Sequence, residues 1–217
     1  MEIKKIKEFN TTGPCNQDDH YMLPALPRLP DVRNLIDSKK YYVLHAPRQC
    51  GKTTSVKACV KKINEEGDFY ALYCSLEEFK GATDKLQAMD TLIGNLVGSL
   101  KESPVEALNK AGRSGFWNKL KTEDDYIASK LKEWLKALSK RLDKDFIIFF
   151  DEYDSLFGET LLSFMSQLRN GYVKRDETPF PRSIILIGMR NIRDLKIHIR
   201  YEVQSLGSSS PFNIITE

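Results

Sequence analysis

The sequence predicts an α/β protein with a three-layer α/β/α fold, in which a parallel sheet of five strands carries helices on both faces. Three observations predict it. Apolar strand patterns alternate with helical patterns along the chain, which is typical of parallel sheets. Two of the strands end in polar turns with the residues of known phosphate- and metal-binding motifs. The length of 217 residues suits one domain with a sizeable core.

The composition is that of an ordinary globular chain, with 41% hydrophobic and 29% charged residues. A net charge of +3 is too small to argue for a nucleic-acid partner. The four cysteines are scattered without a C-x-x-C pair, which predicts free thiols and no zinc site. No apolar run is long enough for a membrane span, and the N-terminus lacks the apolar core of a signal peptide. We therefore expect a cytoplasmic protein with no membrane partner.

The N-terminal segment differs in composition from the rest. Residues 9–30 contain four prolines among other turn formers, which excludes a regular helix, but interleaved apolar residues predict that the segment packs on the domain. Asp31 is a suitable N-cap for a short helix with Val32, Leu35 and Ile36 on one face. The predicted division is an arm at 1–30 and a core at 31–217.

The first motif joins a short strand at 41–44 to a helix that begins at Thr54. Its loop fits the phosphate-binding pattern G-x-x-x-x-G-K-[ST], in which backbone N–H groups and the helix N-terminus face the phosphates. Lys52 would reach the β and γ oxygens, Thr53 would ligate Mg²⁺, and Gly51 allows close backbone approach. The predicted nucleotide-binding residues of the loop are Ala46, Pro47, Arg48, Gln49, Cys50, Gly51, Lys52, Thr53 and Thr54.

The loop departs from the pattern at one position, where Ala46 replaces the first glycine. Alanine favours ordinary dihedral angles, so we expect the chain to enter the loop without a positive φ at this residue. The alternative interpretation of the motif is an ordinary strand–turn–helix in which the GKT sequence is incidental.

Between the two motifs the chain alternates strand and helix patterns. The first helix should end near Gly67, and residues 68–75 form the next strand. Apolar residues at helical spacing predict helices over 86–100 and 127–138, separated by a loop with short helical pieces at 101–124. In that loop Phe116 and Trp117 either anchor it or form a contact patch. The lysines of the second helix are interpreted as its solvated face, and they are Lys130, Lys132, Lys136 and Lys140.

The second motif is a run of five large apolar residues at 146–150, followed by Asp151 and Glu152. Such a run predicts a strand buried on both faces, and ligands bind at the C-terminal ends of such strands. We interpret the motif as a Walker B sequence, in which Asp151 holds Mg²⁺ and Glu152 activates the attacking water. The alternative is a strand followed by a charged, solvated turn.

The remaining elements complete the sheet. A helix is predicted over 159–170, with Gly171 ending it, followed by a buried strand over 183–188 and a last strand over 212–215. Arg190 and Asn191, just after the first of these strands, are candidates for sensing the γ-phosphate, with a surface turn as the alternative. The Gly/Ser-rich stretch within 191–210 predicts a mobile loop.

With both motifs placed, the chain resembles the P-loop ATPases of the AAA+ and STAND-like classes. Three segments resemble more narrowly a family of bacterial and archaeal ATP-binding proteins with an AAA-like domain: FNTTGPC at 9–15, HYMLP at 20–24, and HAPRQ with GKTT at 45–54. The resemblance implies that the strand before Arg190 lies between the two Walker strands and that Arg190 acts as a sensor. It also implies that His20, Tyr21 and Met22 lie near the adenine.

One feature departs from that family pattern. The chain ends just after the last predicted strand, so we expect the helical C-terminal lid and its sensor residues to be absent. The candidates for an arginine finger, which would contact the phosphates of a neighbouring subunit, are Arg169 and Arg175.

Two functional hypotheses follow. In the first, the chain is an ATPase core that binds ATP with Mg²⁺ and uses hydrolysis to switch a protein partner or a missing C-terminal domain, with Lys52, Glu152 and Arg190 as catalytic residues. In the second, it is a nucleotide-dependent interaction module with little turnover. Glu152 favours the first hypothesis, because a module that does not hydrolyse ATP needs no second carboxylate beside Asp151. A phosphotransferase is a weaker third reading, and nothing in the sequence supports a nucleic-acid partner.

Overall fold

The computed structural model describes residues 7–9, 18–21, 31–79, 85–120, 129–189 and 214–216. The α-helices of this part of the chain are α1 (Val32–Asp37), α2 (Lys52–Glu66), α3 (Lys85–Glu102), α4 (Glu106–Arg113), α5 (Lys130–Ser139) and α6 (Gly158–Val173). The strands are β1 (Tyr42–His45), β2 (Tyr70–Ser75), β3 (Phe146–Asp151), β4 (Ser183–Gly188) and β5 (Ile214–Thr216). Short 3₁₀ turns occupy Glu77–Phe79, Phe116–Leu120 and Tyr153–Ser155.

The strands form one parallel sheet in the order β2-β3-β4-β1-β5. Its body consists of the four strands β1 to β4, each four to six residues long, and the three-residue β5 pairs with the outer side of β1. The predicted parallel α/β architecture is confirmed. Because β4 lies between β1 and β3, the strand that leads towards Arg190 is the one between the two motif-bearing strands, as the resemblance implied.

Apolar side chains cover both faces of the sheet. Along β1 and the residue before it, Tyr41 and Val43 join one buried cluster, whereas Tyr42 and Leu44 join another. This alternation follows from the two-residue period of a strand. The first cluster is completed by helices α3 to α6 and the second by α1 and α2, so β1, β3 and β4 read as continuous apolar runs because both of their faces are buried.

The end of α6 differs from the prediction. Gly171 was expected to end this helix, but α6 continues through it to Val173. The reason is packing: a Cβ built at Gly171 would lie only 2.1 Å from Cζ of Phe180. The glycine makes room for an aromatic ring against the helix, so its role is steric and not that of a C-cap.

The start of α1 also differs. Asp31 precedes the helix as predicted, but it lies in the left-handed region and its side chain makes no capping hydrogen bond. Its Oδ1 instead accepts a hydrogen bond from the side chain of Asn34 at 3.1 Å. Between α3 and α5, the predicted short helical pieces are α4 and a 3₁₀ turn, where the buried ring of Phe116 packs on Trp134 and anchors the turn.

Lys130, Lys132 and Lys136 of α5 do not form a solvated face, which corrects the prediction for these three, whereas Lys140, just after the helix, is exposed as predicted. The side chains of Lys130, Lys132 and Lys136 are only 19%, 23% and 30% exposed. Each pairs with a carboxylate, Lys130 with Asp90 and the other two with Glu133. Their charges are therefore compensated within the protein. None of the helices in the described ranges combines the length and the apolar character needed to cross a bilayer.

Candidate functional site

The loop between β1 and α2 lies at the C-terminal edge of the sheet. Its positive φ angles fall at Gln49 (59°) and Gly51 (81°), and Ala46 is not among the residues with a positive φ. The expectation for Ala46 is therefore confirmed. Gly51 occupies the N-cap of α2 in the left-handed conformation, which costs glycine little because it has no Cβ. The loop thus turns sharply and delivers the first N–H groups of a 15-residue helix to the edge of the sheet.

The ammonium group of Lys52 folds back over this loop. Its Nζ donates hydrogen bonds to the carbonyl oxygens of Ala46 at 2.6 Å and Pro47 at 2.5 Å. Since backbone carbonyls carry only partial negative charges, a phosphate oxygen is a stronger acceptor for the same ammonium. The side chain is half-buried and already lies above the loop, close to where the sequence predicts that phosphates bind.

A buried carboxylate joins β3 to the loop. The side chain of Asp151, at the last position of β3, is only 2% exposed and its Oδ2 accepts two hydrogen bonds. One comes from Thr53 Oγ1 at 2.7 Å and the other from the Tyr73 hydroxyl at 2.9 Å. Its Oδ1 accepts the backbone N–H of Glu152 at 2.9 Å. These three donors compensate the cost of burying the carboxylate.

Glu152 follows Asp151 in a strained conformation. Its φ of 56° lies in the left-handed region, which costs a residue with a Cβ roughly 1–2 kcal/mol. The residue is half-buried and begins the tight turn that continues as Tyr153–Ser155. Strained backbone of this kind concentrates at functional sites, where the surrounding structure holds a side chain in a required direction.

The end of β4 is tied to both motifs. The backbone N–H of Ala46 donates to the carbonyl of Gly188 at 3.3 Å, and the N–H of Met189 donates to Asp154 Oδ2 at 3.1 Å. A Cβ at Gly188 would lie 2.8 Å from Asp154 Oδ1, so the close approach depends on glycine. Arg48 Nε also donates to Met189 Sδ at 3.2 Å. The phosphate loop, the turn after β3 and the end of β4 therefore form one connected edge.

The residues of this edge fit a nucleotide with its metal ion. Within the described part of the chain no three His, Cys, Asp or Glu side chains form a metal cluster. Mg²⁺ in nucleotide sites does not require one, because it binds through one or two protein oxygens together with phosphates and water. The adjacent Thr53 hydroxyl and Asp151 carboxylate supply such oxygens beside the N-terminus of α2.

Other predicted site residues belong to the N-terminal segment or lie outside the described residues. Met22 and Arg190 lie outside the described residues, so their roles stay predictions. Tyr21 donates its backbone N–H to the carbonyl of Glu8 at 3.0 Å and packs its ring on Phe9. The backbone of His20 forms an isolated parallel β-bridge with that of Glu8. Their predicted approach to the adenine is not tested by these contacts.

Of the two candidate arginine fingers, Arg175 has a clear place. It donates to the carbonyl of Lys39 at 2.9 Å and stacks on the ring of Tyr172. Lys39 precedes β1, so Arg175 lies at the edge of the sheet where β1 begins, opposite the phosphate loop.

The sequence analysis missed Tyr73 and Asp154. Burial and the neighbouring Asp151 carboxylate raise the pKa of Tyr73 well above its usual range, so the phenol stays protonated and donates. No local sequence pattern indicates Tyr73, because its place depends on the register between two strands: β2 pairs with β3 so that Ser75 is opposite Asp151, and Tyr73 lies two residues earlier on the same face. The signal for Asp154 was its place in the turn directly after β3.

No protein-family model matches the chain, and no curated protein matches it. Among solved structures, a chain of Drosophila ORC bound to poly(dA/dT) DNA and Cdc6 is similar with a TM-score of 0.49 and 10% identity, over 82% of this chain and 27% of that one. The Aeropyrum pernix ORC1 protein in complex with DNA gives 0.46 and 14%, over 88% and 43%. The Aeropyrum pernix ORC2 protein in ADPNP–ADP complexes gives 0.42 and 16%, over 79% and 41%.

The present chain thus spans less than half the length of each of these neighbours. At scores and identities this low, the likeness carries no argument about family or function.

Proposed function

We propose that the chain is the core of a P-loop ATPase of the AAA+ type, which binds ATP with Mg²⁺ and hydrolyses the terminal phosphoanhydride bond. The observation that carries the proposal is the hydrogen bond between Thr53 Oγ1 and Asp151 Oδ2, because it joins the two halves of a metal site next to a glycine-supported phosphate loop. A strand–turn–helix with an incidental GKT sequence gives no reason for this contact. A solvated turn after β3 gives no reason for burying Asp151.

The roles of the residues follow from their chemistry. The N–H groups at the start of α2 and the Lys52 ammonium bind the phosphates, and the ammonium exchanges its two carbonyl acceptors for phosphate oxygens. Thr53 and Asp151 would hold Mg²⁺, which would supply stabilisation of the phosphate charges. Glu152, directed by its strained backbone, orients and deprotonates the attacking water. Arg190 is proposed to sense the γ-phosphate from the end of β4.

A conformational switch is the proposed use of hydrolysis. The end of β4 is bonded to the phosphate loop through Ala46 and to the turn after β3 through Asp154. A change in the phosphates at the loop can therefore be transmitted to Met189 and the residues that follow it. The proposed recipient is a protein partner or a further domain, in the cytoplasm, where the described thiols of Cys59 and Cys74 stay reduced.

Hydrolysis and nucleotide-dependent interaction are separated by the variant Glu152→Gln. Under the proposal this variant keeps its affinity for ATP and loses nearly all turnover, because the amide cannot take a proton from water. Glu65→Gln, an exposed change on α2, is the matched control and keeps both. Phosphate release and nucleotide affinity should be measured on all three proteins. Tight ATP binding with equal, very slow turnover in the parent and in Glu152→Gln would instead establish an interaction module.

A further inference from the structure

We infer that Tyr73 is a positioning residue for the metal-binding carboxylate: its hydroxyl holds Asp151 towards Thr53 and thereby sets the affinity for Mg²⁺ in the nucleotide complex. The inference rests on the proposed function and adds to it a residue from outside both sequence motifs. Tyr73 comes from β2, a strand that carries neither the phosphate loop nor the Walker B carboxylates.

The position of Tyr73 follows from the register of the sheet. In the β2–β3 ladder, Tyr73 is opposite Phe149 and Ser75 is opposite Asp151. Residues two apart share a face, so Tyr73 and Asp151 both face α2, whose first turn carries Thr53. A tyrosine is long enough to reach diagonally to the next strand. Its hydroxyl meets Asp151 Oδ2 at 2.9 Å, on the oxygen that also accepts from Thr53.

The ring of Tyr73 is held independently of its hydroxyl. It packs against the apolar cluster between the sheet and α2, and the ammonium of Lys57 lies 4.8 Å from its centroid. Such packing orders the ring before any ligand binds. The hydroxyl therefore has a defined direction, and the hydrogen bond to Asp151 is preorganised and not a chance contact of a mobile side chain.

The consequence concerns the carboxylate when the metal is bound. Thr53 would then offer a lone pair to Mg²⁺ while its O–H still donates to Oδ2, and Tyr73 is the second donor that keeps Oδ2 in place. Groups that orient metal ligands through hydrogen bonds typically affect metal affinity by about 10–100-fold when they are removed. Removing this hydroxyl should weaken the Mg²⁺-dependent part of nucleotide binding and leave phosphate binding by the loop unchanged.

The test compares Tyr73→Phe with Tyr70→Phe. Both changes remove one phenolic hydroxyl from β2, but that of Tyr70 donates to Asp143 at the opposite end of the strand, at 2.9 Å. The affinity of each protein for the imido analogue of ATP should be measured by calorimetry in excess Mg²⁺ and again in excess chelator. The affinity in Mg²⁺ divided by the affinity in chelator reports the contribution of the metal. Thermal unfolding shows whether each variant is folded.

We expect Tyr73→Phe to lower this ratio about tenfold, because its affinity falls in excess Mg²⁺ and stays unchanged in excess chelator. Tyr70→Phe should keep the ratio of the parent. An unchanged ratio in Tyr73→Phe overturns the inference while leaving nucleotide binding intact. Equal losses with and without Mg²⁺ also overturn it, because they mark a purely structural role. A parent protein that binds the analogue under neither condition overturns the proposed function, and this inference with it.

Discussion

The hydroxyl of Thr53 and the carboxylate of Asp151 are 2.7 Å apart, although 98 positions separate them in the sequence. The parallel sheet brings them together because β1, which leads into Thr53, and β3, which ends in Asp151, flank β4 and finish at the same edge. The contact links the loop between β1 and α2 to the end of β3. It is the structural basis of the proposed function.

Replacing Thr53 should affect both metal binding and stability, and two measurements report these roles separately. Thr53→Ala removes both the hydrogen bond to Asp151 and the proposed metal ligand, so we expect Mg²⁺-dependent nucleotide affinity to fall about tenfold or more. The loss of one hydrogen bond to a buried carboxylate should also lower the free energy of unfolding by about 1–3 kcal/mol. Calorimetry and urea unfolding provide the two measurements.

The matched control for that change is Thr53→Ser, which keeps the hydroxyl and loses only a methyl group. It should bind nucleotide in Mg²⁺ nearly as well as the parent. If Thr53→Ala and Thr53→Ser were indistinguishable in their Mg²⁺ requirement, the hydroxyl would have no role at the metal.

A helix glycine provides a test of the packing. In Gly171→Ala the new Cβ would meet the ring of Phe180 at 2.1 Å, so the ring has to move, and we expect a loss of about 1–3 kcal/mol in the free energy of unfolding. Gly94→Ala is the control, since it lies exposed within α3 with nothing within 4 Å of its Cβ. That change should stabilise by up to about 1 kcal/mol, because alanine favours helix more than glycine does. Equal effects at the two positions would show that Phe180 does not constrain α6.

Stability at alkaline pH should depend on Cys59. Burial raises the pKa of its thiol to about 11, whereas an unfolded cysteine titrates near pH ~8.5. Between these values the unfolded chain has lost this proton and the folded protein keeps it, so the unfolded state binds fewer protons and stability falls as pH rises. We expect the free energy of unfolding to decrease from about pH 9 to about pH 11.

In Cys59→Ala that decrease should be smaller by roughly 1–3 kcal/mol over the same range, whatever the effect of the change at neutral pH. Urea unfolding at several pH values measures the slope in both proteins. Parallel slopes would mean that the Cys59 thiol does not titrate differently in the folded and unfolded states.

The parts of the site that the sequence predicted are those encoded locally. The strand–loop–helix around Lys52 and the apolar run before Asp151 each lie within about fifteen residues, so turn chemistry and periodicity were sufficient to find them. Tyr73 was missed because its contact depends on the register between β2 and β3, which no local pattern contains.

The errors have the same origin. A glycine such as Gly171 often ends a helix, but here it makes room for the ring of Phe180 and the helix continues past it. The lysines of α5 look solvated in sequence, yet α3 and α5 themselves supply carboxylates for them. In both cases tertiary packing overrides a local preference. The sensor role of Arg190 and the adenine contacts of His20, Tyr21 and Met22 stay predictions.

The most direct test of the proposed function is calorimetric titration of Mg·ATP and ADP into the parent protein, Lys52→Ala and Lys61→Ala. Lys61 lies on the same helix, is exposed and pairs only loosely with Glu65, so its removal controls for net charge. We predict a Kd on the order of micromolar to sub-millimolar for the parent and Lys61→Ala, and at least roughly tenfold weaker binding for Lys52→Ala. Equal affinity in all three proteins, or no binding to the parent, would contradict the assignment of this loop as a nucleotide site.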